Sequence, residues 1–410
     1  MAAKTKDISL DLYITANSPG EIAGWVVPVV REIRAKVWKC RTTLVILPCQ
    51  YASGAEMSIG ASSGVDRCVR LGAFGDLMSG DSMTKARKRL VLHMGGDLFF
   101  SVYLSKRLGA ALWAYSSRPR WGRFVKFFFV PDEMAERRFA LLNFKQDRYE
   151  RIGALALDSV VLRETEEETM ESLRLSPDEP VIAILAGSRP VEYCFGVPYF
   201  AGIASRITEK FPDHRVFFLL AATVNEEALK KSLESSGIAF KGVNRVHEID
   251  IGGGRWASVV RDRTLEILNC AKLAITVPGT NNLQAAALYV PYIMVLPLDR
   301  ADEYPVDGIF GVLPLWIPGF RRLKKNYIMK LNARTEFVSL PNKMAGRMIA
   351  PELRGLFPPE EVANKAIELL ESPQSLQEMS RRFWDLTHER GAASKLAEKL
   401  AKWAKDPDAK

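Results

Sequence analysis

Twice along this chain a strand-like apolar run closes on a glycine-bearing turn and is followed by a helical pattern and further strands. Short apolar runs alternating with helices bury both faces of a parallel sheet, so this pattern restricts the fold to α/β layers. In the first stretch Leu10–Ala16 reads as a strand, followed by a glycine-bearing loop and a helix through Lys36. Thr43–Leu47, Arg89–Leu92, Ala111–Tyr115 and Phe124–Val130 are further strands, with helical patterns at Leu98–Leu108 and Glu133–Leu142. The charged segment Glu164–Glu171 reads as a solvated connector helix, and Pro177-Asp-Glu-Pro180 marks a boundary. The second stretch holds strands at Val181–Leu185, Val216–Leu220, Leu273–Thr276 and Tyr292–Leu296, with helices at Pro359–Leu370 and Gln374–Lys402.

A length of 410 residues accommodates two such domains. The reading divides them into 1–175, 176–365 and a helical tail, 366–410, with packing of the tail back on the first domain as one option. Two Rossmann-like domains facing each other make a cleft between the carboxyl ends of their sheets, where ligands bind in open α/β folds.

At 48% hydrophobic and 26% charged residues the chain is neither disordered nor fibrous. No apolar run reaches the ~18–20 residues of a membrane span. Met1-Ala-Ala-Lys-Thr-Lys6 leads directly into a strand-like segment, so the expected location is cytoplasmic, touching a membrane without crossing it. A net charge of +9 either steers phosphates and anionic lipid toward the surface or only solubilises it. Cys40, Cys49, Cys68, Cys194 and Cys270 are scattered without C-x-x-C spacing, and four histidines are dispersed, which suggests neither a disulfide framework nor a zinc site.

Five segments carry polar chemistry at strand ends. In Asn17-Ser-Pro-Gly-Glu-Ile-Ala-Gly24, Gly20 and Gly24 permit close backbone approach, and Glu21 is either functional or a dipole-stabilising acid. His93-Met-Gly-Gly-Asp97 presents Asp97 at a strand end, as a general base or as the N-cap of the next helix. Ala186-Gly-Ser-Arg189 follows a strand and suits a diphosphate, with backbone N–H groups, Ser188 and the planar fork of Arg189. In Val277-Pro-Gly-Thr-Asn-Asn-Leu-Gln284, Gly279, Thr280 and Asn281 aim a helix N-terminus at an anion; Gln284 either meets a sugar hydroxyl or is satisfied by backbone. Val338-Ser-Leu-Pro-Asn-Lys-Met-Ala-Gly-Arg347 places Asn342 and Arg347 around a glycine, as if directed at a ligand.

With these segments the chain resembles bacterial lipid A disaccharide synthases, inverting glycosyltransferases of the two-domain GT-B fold. The likeness is greatest at Ser339-Leu-Pro-Asn342, Ala345-Gly-Arg347 and Pro351-Glu-Leu353. Gly187-Ser-Arg189 with Glu192 looks like the family's donor turn, Gly279-Thr280 its nucleotide loop, Gly20-Glu21 with Gly24 its first glycine loop, and Asp97 its catalytic aspartate. Gln284 stands where the family has glutamate, Trp25 and Met94 where it has acids, and Ala154 where it has histidine, which is the pattern of a diverged paralogue.

The resemblance implies transfer of an acylated glucosamine or related sugar from a UDP donor to a lipid-linked sugar phosphate. Asp97 is the first choice of base and Glu21 the second. Ser188, Arg189 and the helix after Gly279-Thr280 stabilise the departing diphosphate, with no catalytic metal and no cofactor. Arg118-Pro-Arg-Trp-Gly-Arg123 mixes cations with an aromatic, as a membrane-facing segment or a loop before a buried strand. Trp316 and Phe320 beside Arg321, Arg322, Lys324 and Lys325 are expected to be exposed and to dock on an inner-leaflet surface. A UDP-sugar 2-epimerase-like enzyme and a non-catalytic nucleotide- or lipid-binding paralogue are the alternatives. Nucleic acid is not an expected partner, because the basic residues form no single stripe.

Overall fold

The computed structural model describes residues 9–37, 39–48, 56–73, 86–176, 178–187, 190–221, 224–299 and 320–406. The chain divides into two compact units, Met1–Ser159 with Glu389–Lys410, and Val160–His388.

The first unit is built on a seven-stranded parallel sheet: β1 (Leu10–Ala16), β2 (Cys40–Ile46), β3 (Arg67–Arg70), β4 (Lys88–His93), β5 (Ala111–Tyr115), β6 (Phe127–Val130) and β7 (Tyr149–Arg151), in the order β3-β2-β1-β4-β5-β6-β7. All of β1 is buried, as a central strand covered on both faces must be. Strand order reverses between β1 and β4, so the loops after these two strands diverge to opposite faces and leave a crevice. Helix Ala392–Lys405, from the far end of the chain, packs against helix Val27–Lys36. Asp158 holds its start, accepting from the backbone N–H groups of Gly391 and Ala393 at 2.7 Å each.

The second unit carries β8 (Val181–Leu185), β9 (Arg215–Leu219), β10 (Phe240–Lys241), β11 (Glu248–Gly252), β12 (Arg255–Val260), β13 (Ala271–Thr276), β14 (Tyr292–Pro297) and β15 (Glu352–Gly355). Their order is β10-β11-β12-β9-β8-β13-β14-β15, parallel except for the antiparallel β10–β11–β12 edge. Its reversal lies between β8 and β13. Both units are therefore Rossmann-like parallel α/β sheets.

The division of the chain differs from the sequence expectation in two places. Helix Glu166–Ser172 belongs to the second unit, started by a capping box in which Thr165 and Glu168 satisfy each other's backbone N–H. The pattern at 374–402 is two helices, Pro373–Thr387 and Ala392–Lys405, because Gly391 adopts φ +99° between them. The first helix stays with the second unit, where Phe383 stacks on Tyr292 at 5.2 Å, and the second belongs to the first unit.

Candidate functional site

In the first unit, the two loops at the switch point are joined by one carboxylate. Ser18 caps the short helix Pro19–Glu21, accepting from the Glu21 N–H, and a wider π-type turn, Ile22–Val26, follows. This turn places Glu21 against the loop after β4. Its Oε2 accepts from the Asn17 N–H at 3.0 Å, and the Gly96 amide also donates to the carboxylate. Burial raises the Glu21 pKa above its ordinary value, opposed by these backbone hydrogen bonds. Gly95 is what makes room: a Cβ there would lie 2.0 Å from Glu21 Oε2. Gly95→Ala should therefore displace the carboxylate and lower the melting temperature while leaving the protein folded; circular dichroism with a thermal melt checks this.

Asp97 lies beside this junction and is exposed. Its Oδ1 accepts from the Phe99 N–H at 2.9 Å, capping helix Leu98–Leu108. One oxygen is thus spent on the helix start, so the capping role that the sequence left open is real, and the second oxygen is free of that bond. Beneath it His93 is buried, its Nδ1 2.8 Å from Ser101 Oγ and 3.3 Å from Thr15 Oγ1, in a network that ties β1 and β4 to the helix. Desolvation pushes the His93 pKa down to about 4, so the imidazole is neutral near pH 7 and serves as a hydrogen-bonding support.

The apolar departures at Trp25, Met94 and Ala154 are absorbed by packing. Met94 and Ala154 are buried, and Trp25 sits edge-on to Tyr115 at 5.5 Å. The Tyr115 hydroxyl donates to Gly153 O and accepts from the Leu155 N–H, which fixes the turn that carries Ala154. Gly24 is buried in the same region, with Ala156 its nearest neighbour, so it serves packing rather than ligand approach.

In the second unit, the loops after β8 and β13 occupy the switch point. Gly187 has φ +104°, and a Cβ there would fall 2.4 Å from the Cβ of Glu192. Only glycine permits both the backbone conformation and this approach. Ser188 and Arg189 lie outside the described residues. After β13, buried Asn282 donates to Thr276 Oγ1 and Val277 O at 3.2 Å each, and its Oδ1 faces the Gly279 N–H at 3.4 Å. This anchors the start of helix Thr280–Ala287, leaving Thr280, Asn281 and Gln284 half-buried along its first turns. Next to this edge is a largely apolar cavity of about 330 Å³ whose lining includes Glu192, Phe195, Val277, Leu298, Ile328 and Lys343. Desolvation pulls the Lys343 ammonium below its usual pKa, against the opposing charge of Glu352.

The segment Ser339–Glu352 is turned inward. Asn342 is fully buried: Nδ2 donates to Ala350 O (2.8 Å) and Glu352 Oε1 (2.9 Å), and Oδ1 accepts from the Ile349 and Ala350 N–H groups (2.8 and 3.0 Å). Glu352 also accepts from the Val338 and Ser339 N–H groups, each at 2.9 Å, and Ser339 meets the Tyr292 hydroxyl. The Asn342 amide has both its donor and its acceptor engaged by the chain, so it shapes the loop; Arg347 is exposed on the turn. Sequence reasoning read Asn342 as a ligand group because a buried latch and a ligand clamp use the same polar residues. It assigned no role to Glu352, Gly95 or Lys343, whose parts depend on contacts distant in sequence.

The basic segment after 316 also differs from expectation. Trp316 lies outside the described residues. Helix Phe320–Arg334 buries Phe320 (5% exposed), Lys324 (6%) and Ile328, an i, i+4, i+8 stripe facing the unit, and Lys325 donates to Asp299 O at 3.0 Å. Of the proposed docking groups, only Arg321 and Arg322 are fully on the outer face.

Residues 139–300 match the family model described as Lipid-A-disaccharide synthetase. The lipid-A-disaccharide synthase of Myxococcus xanthus is 26% identical over 65% of this chain and 62% of its own length. That of Gloeothece citriformis is 27% identical over 55% and 49%. The chain thus spans about half to three-fifths of these two curated relatives. A putative UDP-N-acetylglucosamine 2-epimerase from Listeria monocytogenes shares the fold, with a TM-score of 0.56 at 13% identity over 97% of this chain and 98% of that one. Across residues 139–300, and at 26–27% identity to these two relatives, this chain is similar to the lipid-A-disaccharide synthases.

Proposed function

We propose that this protein is an inverting glycosyltransferase that moves an acylated glucosamine, or a related sugar, from a UDP donor to a lipid-linked sugar phosphate. The observation that carries the reading is the pair of switch points. One holds two carboxylates on glycine loops, the other a glycine turn facing an anchored helix N-terminus. The free oxygen of Asp97 takes the acceptor hydroxyl's proton as that oxygen attacks the anomeric carbon. The bond to the UDP oxygen breaks, and its electron pair leaves with the diphosphate. Gly187, Ser188, Arg189 and the helix start at Gly279, Thr280 and Asn281 stabilise that charge, while Gln284 meets the nucleotide sugar. Glu21 holds the loop on which Asp97 stands.

A UDP-release assay across donor sugars and lipid-linked sugar acceptors tests this. Release that depends on both substrates supports it. Epimerisation of a UDP-sugar with no acceptor present overturns it, as does ligand-dependent stabilisation without product in any acceptor panel.

No helix among the described residues is long and apolar enough to cross a membrane. The acceptor in this reading is presented at a bilayer surface, and the aromatic face of the first unit suits that contact. Phe99 (49% exposed), Tyr103 (47%) and Trp121 (39%) are exposed rings, Phe99 and Trp121 lie 5.8 Å apart, and Lys106, Arg118 and Arg120 are exposed near them in sequence. Replacing Phe99 and Trp121 by Ser should abolish most co-sedimentation with anionic vesicles and leave UDP affinity unchanged. Arg321→Gln with Arg322→Gln should have the smaller effect.

A further inference from the structure

The first unit has a second polar concavity, at the opposite edge of the sheet from Glu21 and Asp97. In a parallel sheet all amino ends share one edge, and here residues at the starts of β6 and β7 meet helix Ala392–Lys405 around an open pocket of about 680 Å³. Its walls are aromatic: Trp113, Phe127 and Trp403, with the two indoles 5.5 Å apart. Trp113 is 3% exposed, and neither its Nε1–H nor that of Trp403 has an acceptor among the described residues, although both are buried. A buried donor without an acceptor is costly.

Charge around the pocket is equally unbalanced. Arg123, Lys126, Arg148 and Lys399 line it against a single acid, Asp147. Lys399 is paired with Glu150 at 2.6 Å. Arg148 is half-buried and bonded to the carbonyls of Gly122 and Val125, and Arg123 lies over the Phe124 ring at 4.6 Å. Arg123, Lys126 and Arg148 have no ion pair with a carboxylate among the described residues. Three such cations around one concavity match an oxyanion, which brings the negative charge they lack, and the two buried indoles behind the aromatic wall lie close enough to report on its binding.

We propose that this pocket binds a phosphate group, at a site separate from the carboxyl-edge site and independent of the transfer reaction proposed above. The phosphate comes either free from solution or as the headgroup of an anionic lipid, and the two sources are separable by experiment.

The full chain, labelled with ¹⁵N at the tryptophan indoles, reports directly, with the Trp113 and Trp403 signals assigned through Trp113→Phe and Trp403→Phe. Inorganic phosphate is one probe; vesicles of phosphatidylcholine with and without phosphatidylglycerol are the other. Saturable shifts of both signals with inorganic phosphate support the proposal with a free phosphate as ligand. Shifts produced only by phosphatidylglycerol vesicles support it with a lipid headgroup. Arg123→Gln with Lys126→Gln should weaken either response ~10-fold or more, while melting temperature and UDP affinity stay at wild-type values. The proposal is overturned if neither probe moves the two signals, or if the double variant titrates like the wild type.

Discussion

Asp97→Asn should lower turnover by about 10²–10⁴-fold while folding and UDP affinity stay intact. Asparagine caps a helix as well as aspartate does, so helix Leu98–Leu108 keeps its start, and what is lost is the proton acceptor. Glu21→Gln separates the two carboxylates. As a support for the Gly96 loop, Glu21 should give a smaller loss on substitution, and the acid limb of the pH–rate profile should persist. As the base itself, its raised pKa would place that limb above the ordinary carboxylate range, with activity rising as the group ionises, and the limb would vanish in the variant. The same shift has a stability consequence of definite sign. Between the ordinary value and the raised one, the native state binds the proton more tightly than the unfolded chain. Glu21 therefore costs stability as pH rises through that window, and Glu21→Gln should flatten the dependence. Near-normal turnover in Asp97→Asn would reduce Asp97 to a helix cap and move the base to Glu21.

Glu352→Ala should destabilise the second unit by about 3–5 kcal/mol, the usual result of removing one member of a buried charged network. Its side chain is fully buried and accepts from Val338, Ser339 and Asn342, with the Arg354 guanidinium 3.6 Å away. Removal leaves those donors unpaired. Because Asn342 loses a partner as well, the loop carrying Lys343 and Arg347 should loosen, and UDP affinity should fall with it. Urea unfolding followed by a probe in the second unit checks the first effect, and calorimetric titration of UDP the second. Glu352→Gln, which keeps an acceptor oxygen, should lose less; equal losses would mean that the carboxylate charge, and not the hydrogen bonds, holds the latch.

Central strands and amphipathic helices were legible in the sequence because their signal is local. β1, β5 and β8 coincide with the runs Leu10–Ala16, Ala111–Tyr115 and Val181–Leu185, buried almost throughout and mainly apolar, with Asp11 and Thr15 the buried polar exceptions in β1. The glycine turns that follow β1, β4, β8 and β13 were legible too, since a turn at a strand end needs those residue types wherever it is placed. The edge strands were not. β3 (Arg67–Arg70), β7 (Tyr149–Arg151) and β10 (Phe240–Lys241) are short and mostly polar, and they become strands only because a neighbour offers its free hydrogen-bonding edge.

The candidate site divides along the same line. The sequence by itself determined the two parallel layers and the carboxylates, glycines and helix starts at their strand ends, because periodicity and turn chemistry are written in neighbouring residues. Only the tertiary structure decided that Glu21 fits against Gly95, that Asn342 faces Glu352 rather than a ligand, and that Phe320 and Lys324 turn inward. Each depends on which surface packs against a residue from elsewhere in the chain, and the burial, desolvation and hydrogen-bond partners that set its chemistry exist only once those surfaces have met.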